Sequence, residues 1–100
     1  MEKYYILRRT NNGICFEETY GKKLENDFGL NLYIEHHENG HWKITEATSG
    51  LLMYQGYTMK ETISECFQKL NKMNLENIKM LIESCIRKHG ISPLYAEISA

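Results

Sequence analysis

The chain has 100 residues, about the length of one ordinary domain, and 42% of them are apolar, which is enough to build one hydrophobic core. Twelve Lys and Arg residues face thirteen Asp and Glu residues, and both halves of the chain are similarly balanced. This balance argues against a basic nucleic-acid-binding arm and against an acidic mimic of DNA. We therefore expect a single domain that spans residues 1–100, with disorder confined to its termini.

The cysteines and the N-terminal segment indicate the cellular compartment of the protein. Cys15, Cys66 and Cys85 are an odd number and form no CxxC pair, which is typical of reduced thiols. Met1 is followed by a charged segment, whereas a signal peptide would continue with an apolar region. No run of the sequence approaches the ~20 apolar residues that a membrane-spanning helix needs. These features predict a cytoplasmic protein with no membrane partner.

The first predicted element is a β-hairpin. Residues alternate between apolar and polar at the strand period of two from Lys3 to Arg9 and again from Ile14 to Tyr20. Between them, Asn12-Gly13 tolerates positive φ at both positions and favours a type I′ turn. The register of that turn predicts a cross-strand ion pair between Arg8 and Glu17.

A loop and a third strand follow the hairpin. Gly21 to Gly29 is polar and has no clear period, which predicts a mobile loop. Leu30 to His36 then resumes strict alternation, the pattern of a strand with one buried face.

A second hairpin is predicted around Glu38-Asn39-Gly40, which joins the third strand to a fourth from His41 to Ala47. A two-residue loop would place an isoleucine opposite a threonine. A three-residue loop with Gly40 in a left-handed bulge instead sets Ile34 against Ile44. We therefore expect the three-residue loop.

A fifth strand and a first helix come next. Thr48-Ser49-Gly50 predicts a turn and Leu51 to Gly56 a strand, which completes a meander. Thr58 and Glu61 have the spacing of a capping box, so a helix should begin there. Its apolar face, at helical spacing, is formed by Ile63, Cys66, Phe67, Leu70 and Met73.

A second helix is predicted from its two ends. Asn74 is a suitable N-cap, whereas Gly90 suits a left-handed C-terminal cap and Pro93 prevents continuation. Two interpretations of Leu94 to Ile98 stay open, a short edge strand and a loose tail. The apolar stripe of the helix consists of Leu75, Ile78, Leu81, Ile82, Cys85 and Ile86.

Together these elements predict an α+β fold, an antiparallel sheet of about five strands with both helices packed on one face. The other face is expected to be exposed to solvent. Aromatic and cationic groups on such a face anchor protein interfaces or stack on bases. The candidate partner-binding residues on it are Tyr33, His37, His41, Lys43, Thr45 and Tyr54.

The sequence offers few groups for catalysis. His37 and His41 face each other in the predicted hairpin with Glu35 diagonally close, which is a possible metal site and leaves a metal-dependent enzyme as one alternative. Cys66 and Cys85 fall on helix core faces, where a free thiol is usually inert. We assign no catalytic residue, no metal ligand and no cofactor.

The stretch from Leu30 to Leu70 runs strand, strand, strand, helix, with Gly56-Tyr57-Thr58-Met59-Lys60-Glu61 at the strand-to-helix junction. It resembles the HicB-like antitoxins, which pair a three-stranded sheet with a helix entered in this way. It is also similar to the three-stranded DNA-binding domain of phage and transposon integrases, which has a tryptophan in its middle strand, as Trp42 would be. The functional residues of neither family carry over.

The hypothesis that we favour is a non-enzymatic protein-binding inhibitor or regulator. In its narrower form it is a phage-encoded anti-defence (anti-CRISPR-like) protein, because the chain resembles the small tyrosine-rich proteins of phages. It would use the exposed sheet face and the loop from Gly21 to Gly29. The alternatives are a nucleic-acid-binding regulator or HicB-like antitoxin, alone or as a homodimer through an exposed strand edge, and the metal-dependent enzyme at His37 and His41.

Overall fold

The computed structural model describes residues 1–96, which form one five-stranded antiparallel sheet followed by helices. The strands are β1 (Glu2–Thr10), β2 (Gly13–Leu24), β3 (Leu32–His36), β4 (Trp42–Glu46) and β5 (Leu51–Gly56), and they lie side by side in sequence order. The helices are α1 (Met59–Lys72), α2 (Leu75–His89) and the short α3 (Pro93–Ala96). The predicted α+β class and the meander are confirmed.

The main hydrophobic core lies between the sheet and the two long helices. Both helices pack on the same face of the sheet, as predicted, because each has one apolar stripe that must leave water. The buried side chains of this core are Leu24, Leu32, Ile34, Ile44, Cys66, Leu70, Ile78 and Ile82.

The predicted helix caps are present. The Thr58 hydroxyl accepts a hydrogen bond from the backbone N–H of Glu61 (3.2 Å), and the Asn74 side chain accepts one from the N–H of Glu76 (2.9 Å). Gly90 ends α2 as predicted, but its φ of 87° and ψ of 168° are a positive-φ extended conformation that favours glycine and not the predicted left-handed cap. The helix bounds that were predicted from the capping residues are therefore correct.

The predicted type I′ turn of the first hairpin is wrong. Thr10 pairs with Gly13, so Asn11 and Asn12 form the two-residue loop. Both asparagines keep a negative φ, and Gly13 alone adopts a positive one, 109°. The Thr10 hydroxyl stabilises this turn by accepting from the N–H of Asn12 (3.2 Å) and donating to the carbonyl of Gly13 (2.9 Å). This side-chain bonding outweighs the turn preference of the Asn-Gly pair.

The predicted loop from Gly21 to Gly29 is wrong in its first part, because residues 21–24 continue β2. The strand changes partner there, pairing with β1 as far as Gly21 and with β3 from Lys22 onwards. The rest of the loop is organised by Asn26, whose side-chain amide donates to the carbonyl of Leu30 (2.9 Å) and whose oxygen accepts from the N–H of Phe28 (3.0 Å).

The face of the sheet opposite the helices is not open, contrary to the prediction. The sheet curls, so the β1–β2 hairpin covers part of this face, and the Tyr4 ring stacks on the Tyr33 ring with centroids 4.6 Å apart. A second, smaller core forms around this pair from Tyr4, Tyr33 and Ala47, with Ile6, Leu94 and Tyr95 packed against it. Alternation along a strand assigns a side chain to a face but does not predict what covers that face.

The turn at residues 46–50 connects distant parts of the chain. The N–H of Leu7 in β1 donates to the carbonyl of Gly50 (3.0 Å), and the N–H of Ser92 donates to the carbonyl of Thr48 (2.8 Å). The turn thereby holds the curled edge of the sheet and the segment that leads into α3.

A buried carboxylate holds the 46–50 turn itself. Glu46 is 2% exposed, and its oxygens accept from the N–H of Thr48 (3.0 Å), the N–H of Ser49 (2.9 Å) and the hydroxyl of Ser49 (2.7 Å). A buried acceptor with three donors is a structural element, since each bond satisfies a group that has no access to water. Sequence reasoning did not single out this residue.

The described part of the C-terminal segment fits neither of the two interpretations that were left open. Pro93–Ala96 is a single helical turn against β1, so the described part of this segment is neither a strand nor a loose tail, and the remainder of Leu94 to Ile98 lies outside the described residues. Across residues 1–96, no helix is both long enough and apolar enough to cross a membrane.

The three thiols have different surroundings, which predicts different reactivity. Cys15 is exposed, Cys66 is buried and Cys85 is half-buried. Burial raises the pKa of the Cys66 thiol to about 11 and also raises the pKa of Cys85. A disulfide reagent at about pH 8 should therefore modify one thiol rapidly, and all three should react once the protein is denatured. Rapid loss of two or three thiols from the folded protein would contradict this assignment.

Candidate functional site

Three of the six candidate partner-binding residues do not lie where they were predicted. Tyr33 is 5% exposed and Thr45 is 2% exposed, so both are buried on the covered part of the sheet. Tyr54 lies on the helix side, where its hydroxyl donates to a carboxylate oxygen of Glu65 in α1 (2.7 Å). Their predicted exposure on a common open face is wrong. The curled sheet covers Tyr33 and Thr45, and the side chain of Tyr54 points from β5 towards the helices.

The other three, His37, His41 and Lys43, lie together at the uncovered end of the sheet. The N–H of His37 donates to the carbonyl of His41 (2.7 Å), and Glu35 pairs with Lys43 in the register. The predicted three-residue loop of this hairpin is confirmed, including the positive φ of Gly40, 88°. All three side chains are half-buried.

Tyr57 joins this group, although sequence reasoning did not select it. It follows Gly56, the partner of Trp42, so the register brings it beside His41. Its ring lies 4.9 Å from the His41 ring at an angle of 39°, and the residue is 77% exposed. His37, His41 and Tyr57 thus lie next to the adjacent ends of β3, β4 and β5, and these three residues are here called the aromatic row.

The opposite side of the hairpin fixes its position. His36 stacks on Trp42 with ring centroids 4.6 Å apart and an angle of 13° between the planes. Trp42 in turn packs against the main core. The two histidines of the aromatic row therefore belong to a hairpin whose other face packs, through Trp42, against the main core.

The histidines do not complete a metal site within the described part of the chain. The Nδ1 atoms of His37 and His41 are buried and have no hydrogen-bond partner among residues 1–96. No third His, Cys, Asp or Glu in this range joins them in a group that could hold a metal ion. Two imidazoles alone are fewer than the three protein ligands of catalytic zinc sites.

A groove of about 320 Å³ lies beside the aromatic row, between the β1–β2 hairpin and the end of β3. The Arg8–Glu17 ion pair crosses one wall, where the Arg8 guanidinium contacts both carboxylate oxygens of Glu17 at 2.9 and 2.7 Å. The two residues are diagonal neighbours and not directly opposite as the predicted register implied, because Arg8 pairs with Cys15 and Glu17 with Ile6. The residues that line the groove are Ile6, Arg8, Glu17, Thr19, Glu35, His36, His37 and Glu38.

Glu35 on the groove wall connects to polar groups beneath it. One Glu35 oxygen accepts from the Thr19 hydroxyl (2.7 Å), and the other is buried, as is the Tyr4 hydroxyl. Burial raises the pKa of Tyr4 well above its usual value, and the charge of Glu35 and a hydrogen bond to its side chain raise it further. Tyr4 and Glu35 therefore form a buried polar pair behind the groove.

The fold and this surface define a small α+β domain whose aromatic and charged side chains meet at one end of the sheet. Comparison of the chain with protein-family models, with curated proteins and with solved structures gives no match. The likeness to HicB-like antitoxins and to the integrase domain therefore rests on strand order and on the junction from Gly56 to Glu61.

Proposed function

We propose that the protein is a non-enzymatic regulator that acts by binding another protein through the aromatic row. The observation that carries this proposal is the Tyr57 ring, 77% exposed and supported by His41. Tyrosine contributes a large contact area at a low cost in conformational entropy, and such residues dominate binding energy at interfaces. A ring already held by its neighbour loses little further freedom when a partner covers it.

The charges around the row favour a protein partner over nucleic acid. The formal net charge of the chain is −1, and the groove beside the row carries more carboxylates than cations. Phosphate groups would be repelled by Glu35 and Glu38, and Lys43 is the one cation of the predicted set. In its narrower form the proposal is a cytoplasmic, phage-encoded inhibitor that occupies a surface of a host defence enzyme.

Loss of the Tyr57 ring should remove most of the binding. We expect Tyr57→Ala to lower partner recovery at least tenfold in an affinity pull-down from nuclease-treated bacterial lysate, because truncating an interface anchor typically costs about 2 kcal/mol or more. Tyr20→Ala is the matched control, since Tyr20 is also exposed (52%) but lies on β2. Quantitative mass spectrometry of the retained proteins gives the readout, and circular dichroism confirms that both variants are folded.

The same experiment tests the alternatives. If the Tyr57→Ala and Tyr20→Ala proteins recovered equal amounts of the partner, the aromatic row would not be part of the interface. In a parallel pull-down without nuclease, retention of nucleic acid instead of protein, weakening steeply between about 50 and 500 mM salt and lost in Lys43→Ala, would replace the proposal with a nucleic-acid-binding regulator. The identity of a stoichiometric protein partner distinguishes an antitoxin, which retains a toxin, from a defence inhibitor, which retains a defence enzyme.

A further inference from the structure

The β5 strand lies at one end of the sheet, and its outer edge presents backbone hydrogen-bonding groups. The β3–β4 hairpin closes with a hydrogen bond at His41, so Lys43, two residues further along β4, also turns its backbone groups towards β3. Gln55 is opposite Lys43 in the register, and its N–H and C=O therefore point away from β4. Met53 is the residue that the β4–β5 register shift leaves unpaired, and its carbonyl accepts from the ammonium of Lys69 (3.4 Å).

The side chains of β5 do not protect this edge. Edge strands usually carry charged residues or proline, which block pairing with another chain. β1, at the other end of the sheet, has four charged residues, and its Leu7 N–H is bound to the carbonyl of Gly50. β5 has no charged residue, and its Leu52 side chain is 46% exposed. Two copies of β5 can therefore pair without bringing like charges together.

We propose that the protein forms a two-fold symmetric homodimer in which β5 pairs antiparallel with the β5 of a second copy. In the register that the edge groups allow, Gln55 of each copy exchanges hydrogen bonds with Met53 of the other. The two Tyr54 residues then face each other on the symmetry axis. The inference does not depend on the proposed function, because it needs no other protein.

The charges of α1 beside this edge are complementary under the same symmetry. The Tyr54 hydroxyl donates to Glu65 (2.7 Å), and the Lys69 ammonium lies 5.9 Å from the Tyr54 ring centroid, so the axis passes α1 between these two charged residues. The α1 helices of the two copies run antiparallel, which places Glu65 of each copy beside Lys69 of the other. Glu61 and Lys72 are brought together in the same way. All four charged residues are exposed in the single chain and gain a partner of opposite charge in the dimer.

The spacing of the helices is compatible with this pairing. α1 packs over both β4 and β5, so its axis lies about half a strand spacing inside β5. With strands about 4.8 Å apart, the two α1 axes are about 10 Å apart across the dimer. This distance is at the upper end of the usual interaxial range of about 8–10 Å, which suits helices that meet through long charged side chains. Lys69 would exchange its contact with the Met53 carbonyl for the Glu65 carboxylate of the second copy.

Sedimentation equilibrium of the full-length chain tests the strand pairing. The mass should rise with concentration from 11.8 kDa towards twice that value. We expect Gln55→Pro to weaken dimerisation at least tenfold, because proline removes the N–H at the edge and costs no hydrogen bond to β4. Gln55→Ala keeps that N–H, so it is the matched control and should dimerise as the original chain does. Circular dichroism checks that both variants are folded.

Charge reversal tests the contact between the two α1 helices without the use of proline. Glu65→Lys and Lys69→Glu should each weaken self-association at least tenfold, because each places like charges opposite each other. The two variants mixed in equal amounts should form a heterodimer whose affinity is within about threefold of that of the original dimer, since every contact then joins opposite charges.

Several outcomes would overturn the inference. The first is a mass of 11.8 kDa at every concentration up to about 1 mM. A dimer that persists unchanged in Gln55→Pro would place the interface elsewhere, and a mixture of the charge variants that stays monomeric would show that the α1 helices do not meet. A monomeric chain whose partner protein is lost from the pull-down in Gln55→Pro, but not in Gln55→Ala, would assign the edge to that partner. Recovery by Tyr57→Ala is measured separately, so absence of the dimer leaves the proposed function standing.

Discussion

Replacing Glu46 by alanine is expected to lower the free energy of unfolding by about 3 kcal/mol, because it leaves two backbone N–H groups of the 46–50 turn without an acceptor and leaves the Ser49 hydroxyl only its longer bond to the carbonyl of residue 46 (3.5 Å). Each unsatisfied buried donor costs about 1 kcal/mol or more. The effect should extend beyond the turn, since Leu7 and Ser92 both hydrogen-bond to carbonyls within it. Denaturant unfolding followed by circular dichroism measures the loss.

Two controls separate this role of Glu46 from a general effect of charge. Glu46→Gln keeps one acceptor oxygen and should lose about half as much stability as the alanine variant. Glu25→Ala removes an exposed carboxylate and should stay within about 0.5 kcal/mol of the original chain. A Glu46→Ala protein as stable as the Glu25→Ala protein would show that the turn does not depend on this carboxylate.

Gly21→Ala is expected to destabilise the fold by about 3 kcal/mol or more, although the residue has an ordinary φ. A Cβ at this position would lie 2.5 Å from the carbonyl oxygen of Ile34 and 2.9 Å from the Tyr4 ring. The carbonyl belongs to β3 and cannot move without breaking the β2–β3 pairing. The added methyl group would therefore disturb the strand pairing and the stack of Tyr4 on Tyr33 together. Thermal unfolding and the near-ultraviolet circular dichroism of the tyrosines would report both effects.

Gly29→Ala provides the comparison for this steric argument. Gly29 has a φ of 71° and no atom within 4 Å of an added Cβ, so only the backbone conformation is strained there. Its substitution should cost about 1 kcal/mol. If Gly21→Ala proved no more harmful than Gly29→Ala, close packing at Gly21 would not be the reason for a glycine.

Local sequence signals predicted much of the fold. The helix bounds follow from the Thr58 and Asn74 caps and from Gly90, because each of these acts within one turn of the chain. The register of the β3–β4 hairpin was also correct, since only a three-residue loop brings Ile34 opposite Ile44. Where the hydrophobic pattern and the turn chemistry agree, a single sequence is sufficient to predict the strand register.

The candidate site was harder to predict because it depends on the curl of the sheet. Strand alternation correctly placed Tyr33 and Thr45 away from the helices, but the β1–β2 hairpin and the C-terminal segment cover that face. This coverage arises from contacts between residues far apart in the chain, such as Tyr4 with Tyr33, which no local pattern records. Tyr57 was missed because it follows the last paired residue of β5, and its place beside His41 depends on a β4–β5 register that shifts between Ile44 and Thr45.

The 46–50 turn has a consequence for the order of events during synthesis. Its carbonyls bind Leu7, near the beginning of the chain, and Ser92, near its end. The β1 contact can form as soon as the turn has left the ribosome, whereas the Ser92 contact must wait for almost the whole chain. A nascent chain stalled before residue 92 would hold the curled sheet by one of these two attachments and would leave the Tyr4–Tyr33 cluster without Leu94 and Tyr95. The last stage of folding is then expected to begin only after residues 92–95 have left the ribosome.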